Sequence, residues 1–200
     1  MKTQTHSIDR NLRRTAMMAT LSIAWLLPPV VLAEVPQTLD EFNSDMLTSL
    51  ETPRLVFTDV DLGGKSEAKL DYSEGILRVE GKIVPARGQP GFVSLVLLLS
   101  SKGEPQDLSA YEGIRLKVRV LKGGLQVLAA STEIQNFDYH TAAVKRSGKF
   151  QEIKVPFSDL KRVWSEQTTL NLETITSINL VASGIQPGSF VYEIDEIGFY

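Results

Sequence analysis

From residue 54 onward, apolar and polar residues tend to alternate every second position. The clearest case is residues 114–120, where four aliphatic side chains alternate with three basic ones. Residues 76–83 show the same alternation, whereas residues 92–99 are apolar on both faces, which favours a central strand covered on both sides. A period of two is typical of β-strands with one buried face. The pattern therefore predicts a domain built from strands.

Weaker apolar runs complete the predicted set of strands. They cover residues 55–60, 125–132, 150–155, 175–182 and 190–199. Turn residues separate the runs, among them Gly63-Gly64, Gly123-Gly124 and Pro187-Gly188. Many short strands with regular turns are typical of a β-sandwich or jelly roll. Residues 54–200 are therefore predicted to form one all-β domain.

A different period precedes the strands. Thr38 and Glu41 have the spacing of a helix capping box. Apolar residues then recur at roughly helical spacing, at Leu39, Phe42, Met46 and Leu50. Residues 34–53 are therefore predicted to be a flexible lead-in followed by a short helix that ends before Pro53.

The N-terminal residues have the pattern of an export signal. Four basic residues lie within the first 14 positions, and an apolar run follows over residues 16–27. Pro28-Pro29 ends that run before it reaches the length of about 20 residues that a membrane span needs. Val31 and Ala33 are small residues at the positions that a signal peptidase reads. Residues 1–33 are therefore predicted to be a signal peptide cleaved after Ala33, which predicts a periplasmic or secreted protein.

Composition and charge narrow the classes of function. The formal net charge is −3, and removal of the basic N-terminal segment makes the remainder more acidic. An acidic domain is a poor match for nucleic acid or an anionic membrane, so we expect membrane contact only through a partner. The chain has no cysteine, which excludes thiol catalysis and thiolate metal sites.

Catalytic motifs are also missing from the sequence. It contains no nucleophile elbow, phosphate-binding loop or zinc-binding helix motif. A pair of carboxylates for glycoside hydrolysis stays open, because such pairs meet only in three dimensions. The sequence predicts a protein that is not an enzyme.

Residues 135–140 are the leading candidate for ligand binding. As a strand, this segment would place Asn136, Asp138 and His140 on one face, where they could bind sugar hydroxyls or a peptide. Tyr139 and the distant Trp164 are candidate aromatic contacts for the same ligand. The alternative is that Asp138 and His140 bind each other or nearby backbone, with the aromatic residues in the core.

Charged residues supply two further candidate sites. Arg115 and Arg119 lie on one face of a predicted strand and could bind an anionic partner; the alternative is pairing with acids on a neighbouring strand. Asp59, Asp61 and Asp195 could gather around Ca²⁺ if the first and last strands are neighbours. The alternative is that these aspartates cap turns. No cofactor is predicted otherwise.

Several short motifs occur in an order that resembles a known family. They are residues 59–66 (D-V-D-L-G-G-K-S), residues 107–114, residues 155–160 (V-P-F-S-D-L) and residues 194–197. Together they are similar to the complex I intermediate-associated protein 30 family, over about residues 55–200. The resemblance implies a galactose-binding-like jelly roll. It also implies a non-enzymatic role, since the mitochondrial members are assembly factors for respiratory complex I.

The sequence as a whole predicts an exported, non-catalytic binding module. The resemblance favours an assembly or scaffold factor that binds a protein partner in the cell envelope. The alternative is a carbohydrate-binding module that holds a glycan on its concave sheet face. Export would place the domain across the respiratory membrane from the mitochondrial matrix members, which predicts a different partner.

Overall fold

The computed structural model describes residues 35–200, which form two antiparallel β-sheets. The strands are β1 (Thr38–Asp40), β2 (Arg54–Thr58), β3 (Glu67–Ser73), β4 (Ile76–Ile83), β5 (Gly91–Leu98), β6 (Gly113–Lys122), β7 (Leu125–Ser131), β8 (His140–Val144), β9 (Gln151–Pro156), β10 (Ile175–Gly184) and β11 (Gly188–Phe199). Short 3₁₀ helices cover Asp59–Leu62, Phe157–Asp159 and Leu172–Thr174. Within residues 35–200, no helix has the length and hydropathy needed to cross a membrane.

The strand order defines a sandwich. The six-stranded sheet has the order β3-β4-β11-β6-β9, and β1 also pairs with β11. The five-stranded sheet has the order β2-β5-β10-β7-β8. The predicted all-β sandwich is confirmed, whereas the jelly-roll topology stays a prediction.

The core lies between the two sheets and follows the alternation of the sequence. Leu116 and Val118 in β6 are fully buried, and they alternate with the basic residues of that strand. Leu95 and Leu97 of β5 are also buried, on the core-facing side of the five-stranded sheet. Full burial of one such side chain contributes roughly 1.5–3 kcal/mol. The alternation seen in the sequence therefore decides which side of each strand faces the core.

The structure confirms the strongest predicted strands and adds three. Strand β4 has the bounds that the alternation predicts. Strands β1, β3 and β8 were not predicted; β3 and β8 lie at sheet edges and have few large apolar residues. Strand β5 lies between β2 and β10 and is buried along most of its length, as the apolar run on both of its faces predicts.

The predicted N-terminal helix is also wrong. Thr38–Asp40 instead form β1, which pairs with β11, and Thr38 lies opposite Gly198. A Cβ atom on Gly198 would lie 2.3 Å from the carbonyl oxygen of Gln37, so this glycine permits the close pairing. Phe42 then turns inward with φ of 54°. Strand pairing and core burial outweigh the weak helix signal of the capping box.

The predicted signal peptide, residues 1–33, and its cleavage site lie outside the described residues. Export therefore stays a prediction.

Candidate functional site

Two loops at one end of the five-stranded sheet form the candidate site. The first, residues 132–139, joins β7 to β8, and the second, residues 160–171, leads from β9 towards β10. Thr141 and Lys161 exchange two backbone hydrogen bonds of 2.9 Å each, which lays the second loop along β8. Two segments about 25 residues apart in sequence thus share one surface.

The carboxylate of Asp138 fastens the loops together. It is buried, and it accepts backbone N–H bonds from Val163 at 2.8 Å, Trp164 at 3.0 Å and Ser165 at 2.6 Å. Burial alone would raise the pKa of Asp138, but the hydrogen bonds to Val163, Ser165 and Trp164 outweigh it and lower that pKa. Three successive backbone donors make a nest for an anion. The ionised carboxylate therefore holds the second loop in place.

Arg162 and Asn136 reinforce this connection. The Nε atom of Arg162 donates to the backbone carbonyl of Asp138 at 3.1 Å, and its Nη2 donates to Oδ1 of Asn136 at 3.0 Å. Asn136 in turn donates from Nδ2 to the hydroxyl of Ser165 at 2.9 Å. Each loop is therefore hydrogen-bonded to the other at several points.

His140 holds the far end of the second loop from inside the sandwich. Its ring is buried, and Nε2 lies 2.8 Å from the carbonyl oxygen of Thr168. A carbonyl only accepts, so Nε2 carries the hydrogen. Nδ1 is buried and has no hydrogen-bond partner within the described part of the chain. His140 positions the loop and is not displayed to solvent.

This scaffold exposes three large apolar side chains among its polar ones. Phe137 is 77% exposed, Val163 64% and Trp164 66%. The Tyr139 ring is half-buried and meets Phe137 edge to face, with centroids 6.5 Å apart. Phe137 has φ of 62°, a left-handed conformation that is uncommon for an aromatic residue. We call Phe137, Tyr139, Val163 and Trp164 the aromatic corner.

The structure brings together five of the predicted ligand-binding residues. Asn136, Asp138, Tyr139, His140 and Trp164 all lie in or beside the two loops. Asp138 and His140 bond to backbone groups, as the alternative interpretation expected, and the binding of a ligand by these five residues stays a prediction. Strand β8 begins only at His140, so the expected shared strand face does not form.

Sequence reasoning missed two residues of the corner. The sequence places Phe137 in the core only under the alternative interpretation of residues 135–140, and it gives no function to Val163. Their exposure depends on the bonds between Asp138 and residues 163–165. No pattern near either residue reports a contact so distant in sequence.

The basic residues of β6 are paired within the protein. Arg115 pairs with Glu196, Lys117 with Asp195 at 2.6 Å, and Arg119 with Glu193. The hydrogen bond to Asp195 raises the pKa of Lys117. The pairing alternative from the sequence is confirmed. These bases therefore do not form a free cationic surface for an anionic partner.

The three candidate calcium ligands are not brought together. The first strand, β1, does pair with the last strand, β11, but Asp59 and Asp61 follow β2, which belongs to the other sheet, whereas Asp195 lies in β11. Asp59 is buried and accepts from the N–H of Ser66 at 2.9 Å and its hydroxyl at 2.7 Å, whereas Asp195 pairs with Lys117. Asp61 is exposed in the 3₁₀ helix after β2. Between residues 35 and 200, no cluster of three or more His, Asp or Glu side chains could hold a metal ion.

The outward face of the five-stranded sheet is a second candidate surface. The strand register aligns outward side chains in two rows: Leu55, Val96, Asn179, Leu128 and Thr141; and Phe57, Ser94, Val181, Gln126 and Ala143. These ten residues include no charged side chain, so we call them the uncharged face. Asn179 is the middle residue of the first row. Its buried Oδ1 has no hydrogen-bond partner among residues 35–200.

Comparison with known proteins identifies the domain. The model of the family described as complex I intermediate-associated protein 30 (CIA30) matches residues 42–194. The chain belongs to this family. The two loops of the aromatic corner lie inside the matched part of the CIA30 domain. No curated protein matches the chain significantly.

Solved structures similar to the CIA30 domain include carbohydrate-binding modules. The family 11 module from Clostridium thermocellum, in complex with a β-1,3-1,4-mixed-linked tetrasaccharide, has a TM-score of 0.59 and 18% identity, over 82% of this chain and 94% of that one. The family 30 module of a Clostridium thermocellum cellulosomal cellulase has a TM-score of 0.50 and 16% identity, over 74% and 92%.

An agarase, AgWH50C, has a TM-score of 0.52 and 12% identity, over 80% of this chain but only 24% of the agarase. At these identities the likeness shows a shared fold. The family match and this fold support a non-enzymatic binding module.

Proposed function

We propose that this protein is a non-catalytic module that binds a protein partner through the aromatic corner. The observation that carries the proposal is the exposure of Phe137, Val163 and Trp164 on loops fastened by a buried carboxylate. Adjacent exposed apolar side chains mark interaction sites. Tryptophan is enriched among the residues that dominate interface energy. A scaffold held in place before binding reduces the entropy cost of association.

The surroundings of the corner indicate the chemistry of the partner. Arg162 is engaged in the scaffold, and the exposed charges nearby, Lys161 and Glu166, have opposite sign. A partner with an apolar pocket and a polar rim fits such a surface better than a strongly charged one. An assembly or scaffold role in the cell envelope is part of the proposal. It is supported by the family description and by the predicted export signal.

The test begins with proteins cross-linked to the chain in envelope extract. One partner is then purified, and its affinity is measured for wild type, for Trp164→Ala and for Phe137→Ala. We expect each substitution to weaken binding at least tenfold, because truncation of a central aromatic residue costs about 2 kcal/mol or more.

Ile185→Ala is the matched control, since Ile185 is equally exposed but lies on the turn between β10 and β11. It should bind like wild type. Equal affinity of all four proteins, or the absence of any reproducible partner, would refute the proposal.

A neutral glycan on the uncharged face is the second candidate function. Asn179 favours it, because its amide lies in the middle of an uncharged outward row and its buried Oδ1 has no partner among residues 35–200. A sugar hydroxyl could donate to this oxygen once the neighbouring side chains move aside. The complex of the family 11 module with its tetrasaccharide adds only an analogy of fold.

Calorimetry with the same β-1,3-1,4-mixed-linked tetrasaccharide, followed by a glycan array, separates the two candidates. Glycan binding that is lost in Asn179→Ala but kept in Trp164→Ala would favour the uncharged face. A protein that binds no glycan in either experiment would eliminate this candidate.

A further inference from the structure

The four outer edges of the two sheets differ in how they are protected. An edge strand presents unpaired N–H and C=O groups to other chains, and charged side chains usually discourage such pairing. In the six-stranded sheet, β3 carries Glu67, Lys69 and Asp71, and β9 carries Glu152 and Lys154. In the five-stranded sheet, β8 is covered at Thr141 by the backbone of the second loop. Three edges therefore have a visible protection.

Strand β2 lacks these protections over residues 55–58, because the one bridge on this side, from Leu47, reaches only Pro53 before the strand begins. Residues 55–58 read Leu-Val-Phe-Thr, with no charge and no proline, and β5 is the strand partner of β2. Val56 is 40% exposed and Phe57 54%. Arg54 begins the strand but does not guard it, because its guanidinium is buried against Asp40. The edge is therefore extended, apolar and accessible.

Exposed apolar side chains continue beyond the end of the strand. Val60 and Leu62, on the 3₁₀ helix that follows β2, are both more than half exposed. Together with Val56 and Phe57 they form a border of exposed apolar residues along residues 56–62. An apolar border next to an unpaired strand edge favours a partner that is itself an extended apolar strand.

We propose that this partner is β2 of a second copy of the protein. Antiparallel pairing about a two-fold axis through Val56 would join the two five-stranded sheets into one sheet of ten strands. In this register Leu55 lies opposite Phe57 of the other copy, and Arg54 opposite Thr58. The paired strands bring no like charges into contact, since the one charged residue is already neutralised by Asp40. Closed two-fold dimers are also the commonest form of oligomer.

The absence of cysteine from the chain allows a direct test. Opposed residues of antiparallel strands have Cβ atoms about 4.5–5.5 Å apart, close to disulfide geometry. Val56→Cys should therefore form a covalent dimer under oxidised glutathione. Leu55→Cys mixed with Phe57→Cys should form a heterodimer faster than either forms a homodimer. Ile185→Cys, which is more exposed than Val56 and lies on the turn between β10 and β11, should form little.

Sedimentation velocity of the purified protein over a concentration series gives the second measurement. We expect a dimer that dissociates on dilution, that persists in Ile185→Lys and that disappears in Phe57→Lys. Circular dichroism and thermal melting check that each variant folds.

A monomer at every concentration, or equal disulfide formation in Val56→Cys and Ile185→Cys, would overturn the proposal. A monomer in which Val56→Cys instead cross-links to another protein would also overturn it, and would assign the edge to a different chain. The aromatic corner takes no part in these experiments, so they are independent of the proposed function.

Discussion

Two buried aspartates, Asp40 and Asp138, each fasten an irregular segment to the sandwich. Asp40 binds Arg54 through both carboxylate oxygens, at 2.6 Å to Nε and 2.8 Å to Nη2. The guanidinium carbon of Arg54 lies 5.1 Å from the ring centre of Phe42 and 5.2 Å from that of Tyr72. Asp138 instead accepts three backbone N–H bonds. Both carboxylates are hidden from solvent. Asp40 is bonded directly to a guanidinium, whereas Asp138 is bonded to backbone groups, with the guanidinium of Arg162 only at 3.9 Å.

The difference decides what each segment shows to solvent. Around Asp40, a side chain supplies the positive charge, and the Phe42 ring beside that side chain is buried. Around Asp138, backbone dipoles supply the donors, so the side chains of Val163 and Trp164 remain free to face solvent. A carboxylate held by backbone groups can therefore fix a loop without using the side chains that the loop displays.

The largest expected effect concerns the first aspartate. Arg54→Met leaves the Asp40 carboxylate buried without a counter-ion, which should lower the free energy of unfolding by about 3–5 kcal/mol. Urea denaturation measures the loss. Arg115→Met is the matched control, because its ion pair with Glu196 is partly exposed and is worth about 0–1 kcal/mol. Similar losses in the two variants would show that the Asp40 contact does not hold its segment in place.

The second aspartate should give a smaller loss of stability. Asp138→Asn replaces an ionised acceptor by a neutral amide with one oxygen for three donors. We expect the free energy of unfolding to fall by about 2–3 kcal/mol. Trp164 fluorescence should change as well, because the loop that carries it is released.

Asp159→Asn is the control for Asp138→Asn, because Asp159 is exposed. It should change neither the free energy of unfolding nor the fluorescence of Trp164. Unchanged fluorescence in Asp138→Asn would argue that other contacts fix the loop.

The pH dependence of stability sharpens the comparison. The pKa of Asp138 is lower in the folded protein than the value of about 3.9 for an unfolded chain. Its ionised form therefore stabilises the fold fully above that pH, and the contribution is lost as pH falls through the folded pKa. The stability difference between wild type and Asp138→Asn should be constant near neutral pH and shrink below about pH 4. A difference that does not change with pH would contradict this assignment.

The smallest expected effects concern the displayed aromatic residues. Trp164→Ala and Phe137→Ala should each change the free energy of unfolding by less than about 0.5 kcal/mol, because these side chains are largely exposed. Phe42 is the buried aromatic residue beside Asp40. Phe42→Ala should lower the free energy of unfolding by about 3–5 kcal/mol. Thermal melting of the three variants makes the comparison. A cost for Trp164→Ala close to that for Phe42→Ala would mean that the corner is structural.

Local patterns in the sequence were enough to predict the strands with strong alternation. Strand β4 is an example, since each of its residues faces the core or solvent according to its own position in the pleat. The pairing of Arg115 with an acid could also be anticipated as an alternative, because strands place charged residues opposite each other. The short helix predicted to end before Pro53 does not form, because pairing with β11, more than 150 residues away in sequence, overrides a capping signal.

By itself, the sequence determined the all-β class, the faces of the main strands and, through its ordered motifs, membership of the CIA30 family. The tertiary structure decided which strands are neighbours. It separated Asp59 from Asp195, paired the bases of β6, and brought Phe137 beside the loop that carries Trp164. The physical reason is that side-chain alternation follows from local backbone geometry, whereas contacts between distant residues depend on how the sheets are ordered and packed.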